Sequence, residues 1–306
     1  MRNVVVWGVV VIVLAAAASW LWTPDKPREP LEARYAAPPS RFVEVAGLRL
    51  HVRETGPPTA AAVILMHGFG ASLHTWEDWA RGLESDWRVI RFDLPGAGLT
   101  GPDPTADYRD ERGEQILLAL MDQLGLARAS VVGHSMGGRL AWRFAADHPE
   151  RVTKLVLVAP DGFASPGFEY GKPPEVPAAL GLMRKALPRA LMRMNLEPAY
   201  ANPQALTDET IDRYHDLLLA PGVRGALLDR LKQTRLRDPL PLLARIQAPT
   251  LLIWGEQDAM IPLSNSTDYL KAVAGARLVS LPGVGHLPQE ERPDAALEAL
   301  RQFLRE

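Results

Sequence analysis

Six short runs of β-branched and other apolar residues recur along this 306-residue chain, and amphipathic stretches separate most of them. The runs are AAVILMH (61–67), WRVIRFD (87–93), ASVVGH (129–134), KLVLVAP (154–160), PTLLIWG (249–255) and ARLVSLP (276–282). Each is short and nearly continuously apolar, the pattern of a strand buried on both faces. Helical periodicity occupies about 73–84, 109–124, 136–147, 264–273 and 293–304. Strands alternating with helices predict an α/β fold: a mostly parallel sheet with helices on both faces. Upstream, RFVEVAG and LRLHVRE alternate polar and apolar residues around Gly47. That pattern reads as an antiparallel hairpin and brings the expected sheet to eight strands.

The alternation stops between Pro160 and Pro249. A Gly/Pro-rich stretch there is followed by short helical patterns such as AALGLMRKAL, DETIDRYHDLLL and RGALLDRLKQT. A structureless loop of that length is implausible in a compact domain. Residues 162–245 are therefore expected to form a helical cap inserted after the sixth strand, over the sheet's C-terminal edge. The core is then split into 41–161 and 246–306.

The first residues raise a separate question. Val4 to Trp22 carries no charge, and nineteen helical residues span roughly 28 Å, close to a bilayer's hydrocarbon thickness. Trp7, Trp20 and Trp22 sit near its ends, where indoles favour the headgroup boundary. A cleaved signal peptide competes, with Arg2 as its basic region and Ala15 to Ser19 as its cleavage site. Because the apolar run continues through Trp20-Leu21-Trp22, a transmembrane signal-anchor over 1–22 is the expectation. The short leading tail favours an exported, periplasmic or extracytoplasmic domain, although Lys26, Arg28, Arg34 and Arg41 weigh the other way. Residues 23–40 contain five prolines mixed with charge and read as a stiff, extended linker.

Composition removes several function classes. The chain has no cysteine, which excludes disulfides, thiolate catalysis and cysteine metal sites. Its 34 basic residues are matched by 36 acidic ones along the chain, so nothing suggests a nucleic-acid partner. Oligomeric state cannot be read from the sequence.

The polar residues at the strands' carboxyl ends are the ones to collect, since ligands of open α/β sheets bind there. Ser135 lies in Gly133-His134-Ser135-Met136-Gly137, between an apolar run and a helix. A serine on such a sharp turn is strained, and glycines two residues to either side let strand and helix approach. The helix start also aims free N–H groups and a positive dipole end at the same point. The alternative is a plain Gly-rich turn. A serine nucleophile needs a base, and the base an orienting acid. His286 in LPGVGHLPQEE supplies the base, and Asp258 in WGEQDAMIP the acid. Asp161 is a rival acid, whereas Asp93 in DLPGAGLT is expected to organise its own loop. Backbone N–H groups of Met136 and of Phe69 in HGFGAS are the expected oxyanion donors, with His67 and Gly68 supporting that loop. His51, His74, His148 and His215 read as structural. No metal or cofactor is implied.

These residues resemble the α/β-hydrolase superfamily, in its capped, serine-nucleophile branch. HGFGAS, DLPGAGLT, GHSMGG, WGEQD and GVGHLPQEE occur in the order and spacing of that family over roughly 41–306. The resemblance implies the triad Ser135, Asp258 and His286, in the family's chain order, with Phe69 and Met136 as oxyanion amides. Epoxide hydrolases and haloalkane dehalogenases share the layout but use an aspartate where Ser135 stands. Proline iminopeptidases usually carry tryptophan where Met136 stands. The SMGG elbow resembles carboxylesterases and monoglyceride-lipase-like enzymes, which implies a small-molecule ester substrate with an apolar acyl or alcohol group. It is also similar to meta-cleavage-product hydrolases, which cut C–C bonds. A hydrolase-fold binding protein is the non-enzymatic alternative.

Overall fold

The computed structural model describes residues 6, 7, 21–164 and 169–306. Eight strands form one sheet: β1 (Ser40–Val45), β2 (Leu48–Thr55), β3 (Ala62–Met66), β4 (Arg88–Phe92), β5 (Ala129–His134), β6 (Val152–Val158), β7 (Thr250–Gly255) and β8 (Arg277–Leu281). Their order is β1-β2-β4-β3-β5-β6-β7-β8.

Two parts of the expected architecture are corrected. The first is the mostly parallel sheet, which is mixed instead. β2 pairs antiparallel with both β1 and β4, while the remaining neighbours are parallel. The β1–β2 reversal is made by the two-residue link Ala46-Gly47. Both residues have positive φ (47° and 81°), the geometry that reverses a chain into a tight hairpin. The second correction concerns the transmembrane anchor. Among the described residues no helix is long and apolar enough to cross a membrane, which removes support for the membrane partner and for export by an anchor. Most of the apolar stretch itself, including 8–20, lies outside the described residues.

Alternate residues of each strand enter opposite cores. Ile64, Met66, Ile90 and Phe92 face one side with Ile116, Phe144 and Trp254. Val63, Leu65 and Val89 face the other with Trp76, Trp79 and Phe303. Burial on both faces is why these runs lack a polar periodicity.

Between β6 and β7 the cap contains the helices Arg189–Leu196, Asp208–Leu218 and Val223–Gln233, with a 3₁₀ stretch at Ala178–Arg184. Its apolar side packs on residues that sequence alone read as a stiff, extended linker. Arg28–Tyr35 forms a helix, and Leu31 and Tyr35 share a buried cluster with Ile211, Leu218 and Leu227. Pro30 is tolerated because it stands in the first turn, where its absent N–H would have no intrahelical acceptor. Polar ties hold the strap. Asp216 of the cap accepts hydrogen bonds from Lys26 Nζ (2.5 Å), Arg34 Nη1 (2.9 Å) and Tyr35 OH (2.8 Å). Arg224 reaches Asp25 at 2.6 Å, and the Lys26 N–H donates to Leu219 O at 2.7 Å.

Candidate active site

β5 ends at His134 and a helix begins at Met136, leaving Ser135 alone at the turn. Its φ of 52° and ψ of −118° are strained for a residue with a Cβ, at a cost of about 1–3 kcal/mol that the surroundings must offset. They do so with hydrogen bonds: the Ser135 N–H donates to Val158 O, and Ser135 O accepts from the Asp161 N–H, each at 3.0 Å. The flanking glycines are steric requirements. A Cβ on Gly133 would lie 2.2 Å from Gly137 O, and one on Gly137 would lie 2.5 Å from Met66 O and His67 O.

The loop after β3 comes up against this turn. A Cβ on Gly68 would sit 2.8 Å from His134 Nδ1 and 3.2 Å from Ser135 Cβ, so only glycine permits the approach. His67 is fully buried and spans two loops, with Nδ1–H donating to Gly68 O (2.8 Å) and Nε2 accepting from the Leu94 N–H (2.9 Å). Met136 opens its helix, so its N–H has no intrahelical acceptor. The Phe69 N–H donates to no backbone carbonyl among the described residues.

His286 and Asp258 lie at the adjoining edge. Asp258 Oδ2 accepts from His286 Nδ1–H at 2.7 Å, and its Oδ1 accepts from the Met260 and Ile261 N–H groups at 2.8 Å each. This bond sets the tautomer and leaves the lone pair of Nε2 available. Asp161 does not reach the histidine; it pairs with Arg139. Asp93 is buried beneath the loop, where Oδ1 takes the Leu73 N–H (2.7 Å) and Oδ2 the Leu99 N–H (2.8 Å). Burial alone would raise its pKa. The neighbouring His51 charge and hydrogen bond outweigh that and hold it below the usual carboxylate range.

Three features are not evident in the sequence. His134 Nε2–H donates to His286 O at 2.8 Å, and the His286 N–H donates to Ala199 O of the cap at 2.7 Å. Glu291 accepts from the Gly285 N–H at 2.7 Å, so the histidine loop is fixed at both ends. The third is a second serine–histidine–aspartate chain: Ser40 Oγ lies 2.8 Å from His51 Nε2, and His51 Nδ1 lies 2.8 Å from Asp93. His51 and Asp93 are wholly buried, and this chain joins β1, β2 and the β4 loop. The residue types were visible at 40, 51 and 93, but nothing in their spacing indicated that they meet.

The buried histidines make stability acid-sensitive. Burial lowers the pKa of His67 and His134, and brings that of His74 to about 3. Unfolded histidines bind protons near 6.5, so stability falls as pH drops below that value and, for His74, stops falling near 3. At pH 5 the His74 contribution alone is about 2 kcal/mol. Thermal unfolding should therefore show Tm at pH 5 at least about 4 °C below that at pH 7. An unchanged Tm would contradict neutral burial.

Two cavities open on Ser135 and His286. The larger, about 290 Å³, runs under the cap between Met183, Leu187, Met192, Leu196, Leu218 and Leu227, and among the described residues no lysine or arginine lines it. The second, about 280 Å³, lies on the other side of Phe69 and Met260.

The sequence model for the alpha/beta hydrolase fold matches residues 61–293. The chain belongs to this family. A 2-hydroxy-6-oxononadienedioate/2-hydroxy-6-oxononatrienedioate hydrolase of Cupriavidus pinatubonensis is 30% identical over 280 residues, covering 87% of this chain and 95% of the relative. A solved meta-cleavage product hydrolase from Pseudomonas fluorescens superposes with a TM-score of 0.75 at 25% identity, over 87% of this chain and 97% of its own. A solved bacterial membrane phospholipase A gives a TM-score of 0.75 over 100% of this chain and 98% of its own. At 24% identity that likeness is one of fold. This chain is thus a hydrolase of the serine-nucleophile type, and its named relatives favour the C–C reading over the ester reading.

Proposed function

We propose that Ser135 is the nucleophile of an acyl-enzyme mechanism, and that the bond cut is a carboxylic ester of an apolar acid. His286 Nε2 takes the Ser135 proton as Oγ attacks the acyl carbonyl. Asp258 holds the imidazole tautomer and stabilises its cation. The Phe69 and Met136 N–H groups receive the oxyanion. The protonated His286 then gives that proton to the ester oxygen as the C–O bond breaks and the alcohol leaves. The freed imidazole deprotonates a water that attacks the acyl-enzyme, releasing the acid and restoring the serine.

The lining of the larger cavity carries the ester reading. Side chains of leucine and methionine enclose a volume suited to an alkyl chain. C–C cleavage is the second reading, and the relatives' names support it. A dioate of the kind in those names carries two carboxylates, and burying one against these side chains without a cation costs several kcal/mol. The test is kcat/KM for p-nitrophenyl octanoate beside that for a 2-hydroxy-6-oxo-dienedioate. An ester preference of about 100-fold or more is expected, the value of ~2.7 kcal/mol of unpaired charge. A preference for the dienedioate would replace the ester reading with the C–C one.

A further inference from the structure

The second cavity differs from the first in its floor. Phe69, Leu231, Met260 and Ile261 give it apolar walls, but Arg139, Asp161 and Thr234 also line it beside Ser135. Arg139 stands one turn into the helix that Ser135 begins, buried, with its guanidinium between two carboxylates. It pairs with Asp161 Oδ2, and its Nε lies 3.1 Å from Asp110. Asp161 is bound close to the nucleophile, since its N–H donates to Ser135 O at 3.0 Å. Its carbonyl is fixed by Trp142 Nε1 (3.1 Å) and Tyr269 OH (3.0 Å). The side chain keeps 27% of its surface, and Oδ1 accepts no hydrogen bond among the described residues. A carboxylate held in place by its neighbours therefore faces a mostly apolar chamber next to the reacting serine.

We infer that this chamber receives the alcohol portion of the substrate, and that Asp161 selects alcohols carrying a hydrogen-bond donor, such as a hydroxyl, near the ester oxygen. The inference rests on the ester reading above. The first cavity takes the apolar acyl chain, leaving the leaving group on the other side of Phe69 and Met260. There a second hydroxyl donates to Asp161 Oδ1, while Arg139 holds the carboxylate in its orientation. An alkyl alcohol leaves Oδ1 without a partner once water is displaced. A carboxylate-bearing leaving group meets a like charge. Asp161 is thus a specificity-determining group rather than part of the proton relay.

The experiment compares 2-hydroxyethyl octanoate with propyl octanoate, which match in size. The wild-type chain should favour the hydroxyethyl ester in kcat/KM by about tenfold or more, the range of a hydrogen bond to a charged group. Asp161→Ala should bring the ratio near one. Asp161→Asn retains shape and a neutral acceptor, should give an intermediate ratio, and serves if the alanine variant fails to fold. If the pair only braces the helix against β6, both esters decline together and the ratio is unchanged, which overturns the inference and leaves the ester reading standing. If the wild-type chain hydrolyses neither ester while Ser135 still accepts a fluorophosphonate, the ester reading itself fails.

Discussion

Ser135→Ala should lower turnover of p-nitrophenyl octanoate by about 10⁴-fold or more, to the residual rate that binding and oxyanion contacts sustain alone. Fluorophosphonate labelling should vanish with it. The expectation follows from position: Ser135 is the residue at the strained turn, at the mouth of both cavities, with the helix start behind it. The Ser135→Ala backbone retains a Cβ at positive φ, so folding is expected to persist and circular dichroism to match the parent. Retention of ester hydrolysis at even a hundredth of the parent rate would refute the proposed nucleophile. The same variant also tests the binding-protein alternative, because a scaffold has no turnover to lose.

Asp258→Asn comes next in size, with an expected loss of about 10⁴ in kcat. The amide cannot accept from Nδ1–H through its nitrogen, and the imidazole shifts to the tautomer that leaves no lone pair toward Ser135. Two further bonds amplify the effect, because Oδ1 also receives the Met260 and Ile261 N–H groups at 2.8 Å each. Asp161→Asn should change p-nitrophenyl octanoate turnover by less than about threefold, since its partner is Arg139 rather than His286. The pair of variants therefore separates two carboxylates that follow neighbouring strands. Equal losses would place both in the proton relay and remove the specificity role assigned to Asp161.

The sequence favoured Asp258 as the acid and kept Asp161 as its rival, but what parts them physically was not legible in it. Both follow an apolar run by a few residues, and both could reach a histidine in a loop after the last strand. What separates them is packing. Arg139 rises from the helix after β5 and captures Asp161, while the turn after β7 points Asp258 at His286 and closes its other oxygen with two amides. The linker was misread for a comparable reason. Prolines at 24, 27 and 30 signal an extended spacer only when nothing is present to dock against. Here the cap offers Asp216 and an apolar face, and contact stabilises a helix of eight residues that would be marginal alone. The mixed hydrogen bonding of the sheet followed from Ala46-Gly47, whose neighbours were already read as a hairpin; the pairing of β2 with β4 was not.

The sequence by itself determined the layered α/β architecture and the elbow. Those depend on short-range rules: a period of two faces along each strand, and the absence of a Cβ at Gly133 and Gly137, where one would meet backbone oxygen. Tertiary structure alone decided that Arg139 takes Asp161, which segment straps the cap, and that one cavity is mostly apolar while the other has a carboxylate in its floor. Each depends on side chains far apart in the chain meeting at hydrogen-bond distance. Such meetings are set by how helices and strands pack in three dimensions, and local spacing carries no record of them.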